Sequence, residues 1–258
     1  MDQDEEIRIH LKESLQEHQR QIEENLAYWE KKPVLRQIYR DFHKTIASYL
    51  GQIPGEIVEL GSGIGNIREV IPQAVRTDLF PNPWIDRTED IYRLSMANDS
   101  CANLILFDVF HHLEYPMDAL DECRRALKPG GRLLIFDHAM SLAGYLFSRF
   151  VHHEKAGFGK PYFLRRGQHA FDREARYYAD HANADRVLIR RFDELLVNGW
   201  RRVTVTKMAA ISWMASGGYR GPCLIKNPEH FGWQALERIL AFFPGLFALR
   251  LLVVLEKK

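Results

Sequence analysis

The stretch EIVELGSGIGN, residues 56–66, decides how the rest of this chain is organised. A short apolar run contains the acid Glu59 and is followed by glycines at alternate positions, Gly61, Gly63 and Gly65. Glycine tolerates positive φ angles and lets a ligand approach the backbone closely. A helix that begins after such a turn offers N–H groups and the positive end of its dipole. The pattern predicts a buried strand, a tight ligand-binding turn and a helix N-terminus.

The acid in front of the glycines limits which ligand this turn can hold. The carboxylate of Glu59 disfavours a phosphate and favours a ligand that is cationic or carries hydroxyl groups. A turn that binds a dinucleotide would have the spacing GxGxxG. Here Gly65 comes one residue early and Asn66 follows it, so the spacing argues against a nicotinamide cofactor. A nicotinamide-dependent oxidoreductase stays open as an alternative.

Composition sets the broad class of the protein. The chain has 258 residues, of which 46% are hydrophobic and 27% charged, which suits one α/β domain with additions or two small domains. The formal net charge is +1, so no nucleic-acid partner is expected. The cysteines form no CxxC pair and fit a reducing cytoplasm; they are Cys101, Cys123 and Cys223. The acidic N-terminus lacks the apolar region of a secretory signal.

Periodicity predicts helices first and then a sheet. Amphipathic helices are expected over 5–31 and from Pro33 to Leu50, and we assign residues 1–54 to an N-terminal helical cap. From residue 55 to 258 we expect one α/β domain in which strands and helices alternate. The predicted strands are 56–61, 74–79, 89–94, 103–109, 132–138, 201–211 and 248–255. The predicted helices are 65–71, 117–127, 142–151, 188–197 and 229–242.

Two segments interrupt this alternation and are expected to lie on the substrate side, 152–186 and 212–247. The first mixes aromatic and basic residues, and its Lys155, Lys160, Arg165 and Arg166 suit a phosphate- or sugar-bearing substrate or a solvated insertion equally. The apolar stretch 239–255 is interrupted by Pro244 and Gly245 and is shorter than the roughly 20 residues of a spanning helix. We therefore expect no transmembrane segment, with peripheral contact to a membrane surface as a further idea.

In order and spacing, four features resemble the class I S-adenosylmethionine-dependent methyltransferases of the small-molecule type. They are the acid and glycines of EIVELGSGIG, Asp78 at the end of strand two, the pair Asp90–Ile91, and LFDVFHHL at 106–113 followed by KPGGRL at 128–133. The resemblance covers about residues 55–140. It implies an α/β, Rossmann-like, doubly wound sheet of seven strands, mostly parallel with an antiparallel last strand.

The resemblance also implies S-adenosylmethionine (SAM) as cofactor and a set of residues that hold it. Glu59 would bind the ammonium group of the methionine part, and Asp78 would accept both ribose hydroxyls. Asp90 would accept the adenine amino group while Ile91 flanks the ring. The remaining implied cofactor contacts are Gly61, Ser62, Gly63, Gly65, Leu79 and Asp108.

Histidines at strand ends are candidates for the base that a hydroxyl acceptor requires. Imidazole is suited to proton transfer near neutral pH. All three candidates, His111, His112 and His138, follow predicted strands at their carboxyl ends. As the catalytic base we rank His112 first, then His111 and His138. Asp137 and His138 alone are a poor ligand set, so no metal is expected.

The sequence thus predicts a cytoplasmic methyltransferase that O-methylates a small-molecule, glycan- or lipid-linked acceptor. The chain lacks the Asn-Pro-Pro-aromatic motif of many relatives that methylate nucleic-acid bases or protein glutamine, since DVFH stands at that place, 108–111. Methylation at carbon or nitrogen of a small metabolite and a non-catalytic binding protein of the same fold remain alternatives. Nothing in the sequence indicates an oligomeric state.

Overall fold

A computed structural model describes residues 3–150, 180–197, 199–225 and 231–258. Seven strands form one sheet: β1 Glu56–Leu60, β2 Val75–Asp78, β3 Arg87–Thr88, β4 Cys101–Phe107, β5 Leu127–His138, β6 Trp200–Met208 and β7 Arg250–Lys257. Their order across the sheet is β3-β2-β1-β4-β5-β7-β6. The pairs among β1 to β5 are parallel, whereas β7 runs antiparallel to both β5 and β6. The predicted fold class is confirmed.

Helices cover the sheet on both faces and at its edge. Their bounds are α1 Gln3–Lys31, α2 Pro33–Ala47, α3 Pro116–Ala126, α4 Leu142–Phe150, α5 Asn183–Asp185, α6 Phe192–Val197, α7 Ile211–Ala215, α8 Phe231–Ala241 and α9 Pro244–Phe247. Short 3-10 helices lie at Asn66–Glu69 and Phe110–His112, and a π-helical turn lies at Arg186–Arg190.

The central strand β4 shows why the sheet is covered on both sides. All seven of its residues are buried, as is usual for a parallel sheet between helices. Successive side chains point to opposite faces. Leu104 and Leu106 join one apolar cluster with α3, while Ile105 and Phe107 join a second cluster with α2. The core is therefore two apolar layers separated by one sheet.

The second helix packs directly on the sheet. Its apolar side Leu35, Ile38, Phe42 and Ile46 is buried against the layer that contains Phe107 and Phe136. The rings of Phe42 and Phe136 lie 4.8 Å apart between centroids. A boundary at residue 54 between a cap and the α/β domain remains a prediction.

Three predicted elements differ from the structure. The third strand is Arg87–Thr88 and not 89–94, because Asp90 accepts a hydrogen bond from the N–H of Tyr92 at 2.9 Å and turns the chain. The helix predicted over 65–71 is only a 3-10 turn, Asn66–Glu69. The strand predicted over 201–211 ends at Met208, since Ala210 adopts a φ of +46° that no strand accommodates.

Part of the predicted substrate side lies outside the described residues. This applies to 152–179, with Lys155, Lys160, Arg165 and Arg166, and to 226–230 within the second segment. Among the helices that are described, none is both long enough and apolar enough to cross a membrane.

Candidate active site

The glycine turn is closed by backbone contacts to the neighbouring strand. The N–H groups of Gly61 and Ser62 donate to the carbonyl oxygen of Thr77 at 2.9 and 2.8 Å. The Ser62 hydroxyl accepts from the N–H of Thr77 at 3.1 Å. A Cβ on Gly61 would lie 2.4 Å from Val109 Cγ2, and one on Gly65 would lie 2.5 Å from the carbonyl oxygen of Trp84. Glycine is therefore required at both positions for close approach as well as for positive φ.

Glu59 is a buried acid beside this turn. Its exposed fraction is 2%, and burial raises the pKa of its carboxyl group to about 7. One of its oxygens, Oε2, makes no hydrogen bond with any residue that the structure describes. A buried carboxylate oxygen without a donor is costly, so this position fits a ligand that brings a positive charge or a donor.

Asp78 lies across the turn from Glu59. Its Oδ2 accepts from the N–H of Gly63 at 2.8 Å, and its Oδ1 accepts from the N–H of Leu79 at 2.7 Å. Each carboxylate oxygen has a second lone pair that remains available to another donor. Beyond Asp78 an open cleft of about 290 Å³ extends along the sheet edge. Its lining residues are Leu79, Thr88, Glu89, Asp90, Arg93 and Ser95.

The first helix covers part of this turn, which the sequence did not indicate. His18 Nε2 lies 3.7 Å from Asp78 Oδ1, and the His18 ring lies 5.2 Å from that of Phe80. Ile22 Cδ1 lies 3.7 Å from the position that a Cβ on Gly63 would occupy. The amphipathic pattern of 5–31 predicted a helix but carried no signal for its placement over the glycines.

A second constellation lies at the carboxyl ends of β4 and β5. His111 is 3% exposed, and its Nδ1 lies 2.8 Å from Oδ1 of Asp137, which is fully buried. The backbone N–H groups of His111 and His138 also donate to Asp137, at 3.1 and 2.6 Å. Burial alone would raise the pKa of Asp137, but the charge and hydrogen bond of His111 and the His138 N–H hold it below its ordinary value.

Four imidazole rings meet around Asp137, and we call them the histidine cluster: His111, His112, His138 and His181. The His111 ring centroid lies 3.9 Å from that of His112, 4.8 Å from His138 and 5.2 Å from His181. The rings of His138 and His181 stack at 4.1 Å with an interplanar angle of 22°. His111, His138 and His181 each offer a ring nitrogen, and these three atoms lie within 4.8 Å of one another.

His181 was missed by the sequence reasoning, which placed it inside the predicted insertion 152–186. The structure holds it against the 3-10 turn after β4. The N–H of Asp180 donates to the carbonyl oxygen of His111 at 2.8 Å. The Asn183 side-chain amide donates to the carbonyl oxygens of Phe110 and Leu113 at 3.3 and 2.9 Å. No local pattern around His181 signals this long-range contact.

Asp108 lies beside His111, Asp137 and His138 and is paired with a buried arginine. Both of its oxygens accept hydrogen bonds from Arg250, and the Arg250 Nη2 to Asp108 Oδ2 distance is 2.7 Å. The guanidinium is fully buried and lies 4.3 Å from the Trp213 ring centroid. Asp108 has a φ of +56°, which directs its carboxylate toward β7. Nothing in the sequence pattern indicated Arg250 as its partner.

The structure therefore brings the predicted site residues together in two adjacent groups. Glu59, the three glycines, Ser62 and Asp78 form or contact the turn, and Leu79 and Asp90 line its cleft. Ile91 follows Asp90 and packs against the apolar core. His111, His112 and His138 gather around Asp137, together with His181. Val109, which packs against Gly61, connects the two groups.

Comparisons with known proteins agree with this arrangement. A family profile described as a methyltransferase domain matches residues 58–135. No curated protein sequence matches significantly.

Several solved structures share the fold. A geranyl diphosphate methyltransferase in complex with SAM aligns with a TM-score of 0.54 and 11% identity over 85% of each chain. The geranyl diphosphate C-methyltransferase from Streptomyces coelicolor A3(2) aligns with a TM-score of 0.50 and 11% identity over 84% of this chain and 77% of that one. A SAM-dependent methyltransferase from Archaeoglobus fulgidus aligns with a TM-score of 0.52 and 11% identity over 86% and 94%. At this identity the structural likeness shows the fold alone. The profile match shows a methyltransferase domain at residues 58–135, and together with the shared fold it confirms the predicted resemblance to the class I S-adenosylmethionine-dependent methyltransferases.

Proposed function

We propose that this methyltransferase transfers the methyl group of SAM to a hydroxyl group of a small molecule, and that the His111–Asp137 pair removes the hydroxyl proton. The observation that carries the proposal is the buried hydrogen bond of 2.8 Å between the two side chains. His111 stands two residues after Val109, which packs on the glycine turn, so a base at this position lies next to the donor site.

The turn and its cleft supply groups that match the parts of SAM. Glu59, with its unsatisfied buried oxygen, is assigned to the ammonium group, and Asp78 to the ribose hydroxyls. Leu79, Asp90 and Ile91 are assigned to the adenine. Ser62 and the three glycines shape the backbone around the methionine part, and Asp108, held by Arg250, fixes the end of β4. When bound, SAM supplies an already activated methyl group, so the chain needs mainly to align and ionise the acceptor.

The hydrogen bond to Asp137 selects His111 as the base. An ionised carboxylate accepts a hydrogen bond, so Nδ1 carries the proton and the lone pair resides on Nε2. Asp137 also stabilises the imidazolium that proton transfer creates. His112 is only half-buried, and His138 contacts Asp137 through its backbone N–H. We therefore rank His111 ahead of His112 and His138, which the sequence alone ordered differently.

Exposed apolar side chains near the acceptor side favour a lipid-linked acceptor over a free sugar. They lie on α8, α9 and the turn between them: Ile239, 59% exposed, Phe242, 81%, Phe243, 57%, and Leu246, 46%. Helix α9 packs against α4, which begins shortly after His138. Exposed apolar side chains so close in sequence suit the hydrocarbon part of an acceptor or its membrane environment.

A labelling experiment tests the proposal. SAM with an isotopically labelled methyl group is incubated with three acceptor mixtures: soluble sugars, phenols, and prenyl alcohols with their sugar-linked forms. We expect label on an oxygen of a prenyl-linked compound, and loss of this transfer in His111→Asn while S-adenosylhomocysteine (SAH) still binds. Label on carbon or nitrogen would contradict the choice of a hydroxyl. Tight SAH binding without transfer to any mixture would favour a non-catalytic binding protein.

A further inference from the structure

We propose that His111, His138 and His181 form a binding site for a transition-metal ion. Three buried imidazoles, drawn from the ends of two adjacent strands and from a distant segment, each place a ring nitrogen within 4.8 Å of the other two. Ligand nitrogens in a tetrahedral zinc site are separated by about 3.4 Å, given metal–nitrogen distances of about 2.0–2.1 Å. Small ring rotations therefore bring the three atoms to coordinating distance.

Asp137 provides the outer support that such sites use. A histidine ligand ordinarily donates its second ring N–H to a carboxylate or a carbonyl, which fixes the ring and makes the ligating nitrogen more basic. His111 Nδ1 does this with Asp137 Oδ1 at 2.8 Å. The other oxygen, Oδ2, accepts from the His111 backbone at 3.1 Å, while Oδ1 also accepts from the His138 backbone at 2.6 Å. One buried carboxylate thus positions two of the three ligands.

The third ligand is held just as firmly. His181 is fully buried and follows Asp180, whose carboxylate accepts from the N–H of Ala182 at 3.0 Å and pairs with Arg186 at 3.3 Å. The Asp180 backbone is in turn bonded to the carbonyl oxygen of His111 at 2.8 Å. The segment that carries His181 is thereby fixed to the segment that carries His111.

Ligand type and charge select the class of ion. Three neutral nitrogen ligands suit zinc, iron(II), cobalt(II) or nickel(II), whereas magnesium requires oxygen ligands. Asp108, which lies near His111 and His138, is already engaged by Arg250 and neutralises that guanidinium. Asp137 is left as the anion that offsets the charge of the ion. A site with three protein ligands also leaves a fourth position open, as in catalytic zinc sites.

The role of the ion rests on the proposed function, whereas its binding does not. A hydroxyl in the fourth position loses its proton more readily because the ion stabilises the oxygen anion. The O–H bond breaks, its electron pair stays on the oxygen, and the proton passes to water. With the ion bound, the Nε2 lone pair of His111 is used for coordination, so His111 acts as the base only in the metal-free protein and the ion promotes loss of the hydroxyl proton in the metal-loaded one.

The test is a zinc titration of the full chain, with any affinity tag removed and the metal stripped by a chelator, against a chromophoric competitor. We expect one zinc per chain, with affinity falling by about 100-fold or more in His138→Gln and His181→Gln and by about 10- to 100-fold in Asp137→Asn. The matched control is His112→Gln. His112 belongs to the histidine cluster but not to the three proposed ligands, so the zinc affinity of this variant should equal that of the parent chain. No zinc binding, or equal binding by all variants, would overturn the site.

Cobalt substitution and SAH binding keep the result interpretable. The parent chain and His112→Gln should give the visible absorption of tetrahedral cobalt(II), and an unaltered octahedral spectrum in the parent would also overturn the site. SAH binding by His138→Gln and His181→Gln shows that they are folded.

If the stripped protein methylates as fast as the zinc-loaded one, the catalytic role of the ion is wrong and the His111 base stands. If zinc binds tightly but neither form methylates any acceptor, the proposed function fails and the metal site stands.

Discussion

We assign the glycine turn and its cleft to the methyl donor and the histidine cluster to the acceptor, and call them the donor side and the acceptor side. The two sides are built in different ways. The donor side is local: one strand, one turn and the end of the neighbouring strand supply Glu59, the glycines and Asp78. The acceptor side is assembled from segments far apart in the chain, since His111, His138 and His181 come from three separate parts of the sequence. Val109, which packs against Gly61, lies between the two.

The buried acids of the two sides also differ in their pKa values and in their hydrogen bonds. On the donor side a buried acid has a raised pKa and an oxygen without a hydrogen-bond donor among the described residues, so this side offers an acceptor to a cationic or hydrogen-bond-donating ligand. On the acceptor side the buried acid, Asp137, has a lowered pKa and accepts three hydrogen bonds from His111 and His138. The donor-side carboxylate thus has an oxygen available for a ligand, while the acceptor-side carboxylate already accepts hydrogen bonds from the protein. Variants that affect one side only are the way to test this division.

The largest effect is expected from Asp137→Asn. The amide keeps the shape of the side chain but removes the charge that orients His111, so turnover should fall by about 10²–10⁴-fold. SAH affinity, measured by calorimetry, should stay within about twofold, because the change lies outside the donor side. A loss of SAH binding equal to the loss of turnover would show that the two sides are not separate.

Arg250→Met tests the long-range support of the acceptor side. The arginine is fully buried and bonded to both oxygens of Asp108, so its removal leaves a carboxylate without a partner. We expect the free energy of unfolding to fall by about 3 kcal/mol in urea titration. The control is Arg201→Met, an exposed arginine paired with Glu256, with an expected loss below about 1 kcal/mol. Equal losses in the two variants would contradict a structural role for the buried pair.

Asp78→Ala tests the donor side alone. It removes the assigned acceptor of the ribose hydroxyls and the partner of the Gly63 N–H, so SAH binding should weaken by roughly 1–3 kcal/mol. Asp78→Asn, which keeps one acceptor oxygen, should lose less. Unchanged affinity in the alanine variant would remove Asp78 from the cofactor site.

The smallest effect at neutral pH concerns Glu59. In the empty protein burial holds the pKa of its carboxyl group at about 7, whereas an ammonium partner favours the ionised form. Binding therefore releases a proton below pH 7, and SAH affinity should fall by about tenfold per pH unit as the pH decreases below 7. Calorimetry between pH 5.5 and 8.5 should show this slope for the parent chain and a weaker, flat affinity for Glu59→Gln. A flat profile in the parent chain would contradict the assigned contact.

The difference between a local donor side and a long-range acceptor side also explains which residues could be predicted from the sequence. Glu59, the glycine spacing and Asp78 are close in sequence, so an ordered motif predicted the fold, which the structure confirms, and the residues that we assign to the donor side. His181 and Arg250 reach the acceptor side through tertiary contacts, the first by Asp180 and Asn183 and the second by the antiparallel β7. No local period encodes such contacts. For that reason His111 and His138 were proposed singly, while the cluster and its shared carboxylate emerged only in the structure.

The position of α1 has a consequence for the timing of the reaction. With His18 at Asp78 and Ile22 over Gly63, the helix covers one side of the turn. We therefore expect α1 to slow the release of spent cofactor. Pre-steady-state measurements should show a rapid first turnover followed by a slower steady rate, and His18→Ala with Ile22→Ala should speed SAH dissociation. Equal dissociation rates would show that the helix does not retain the product.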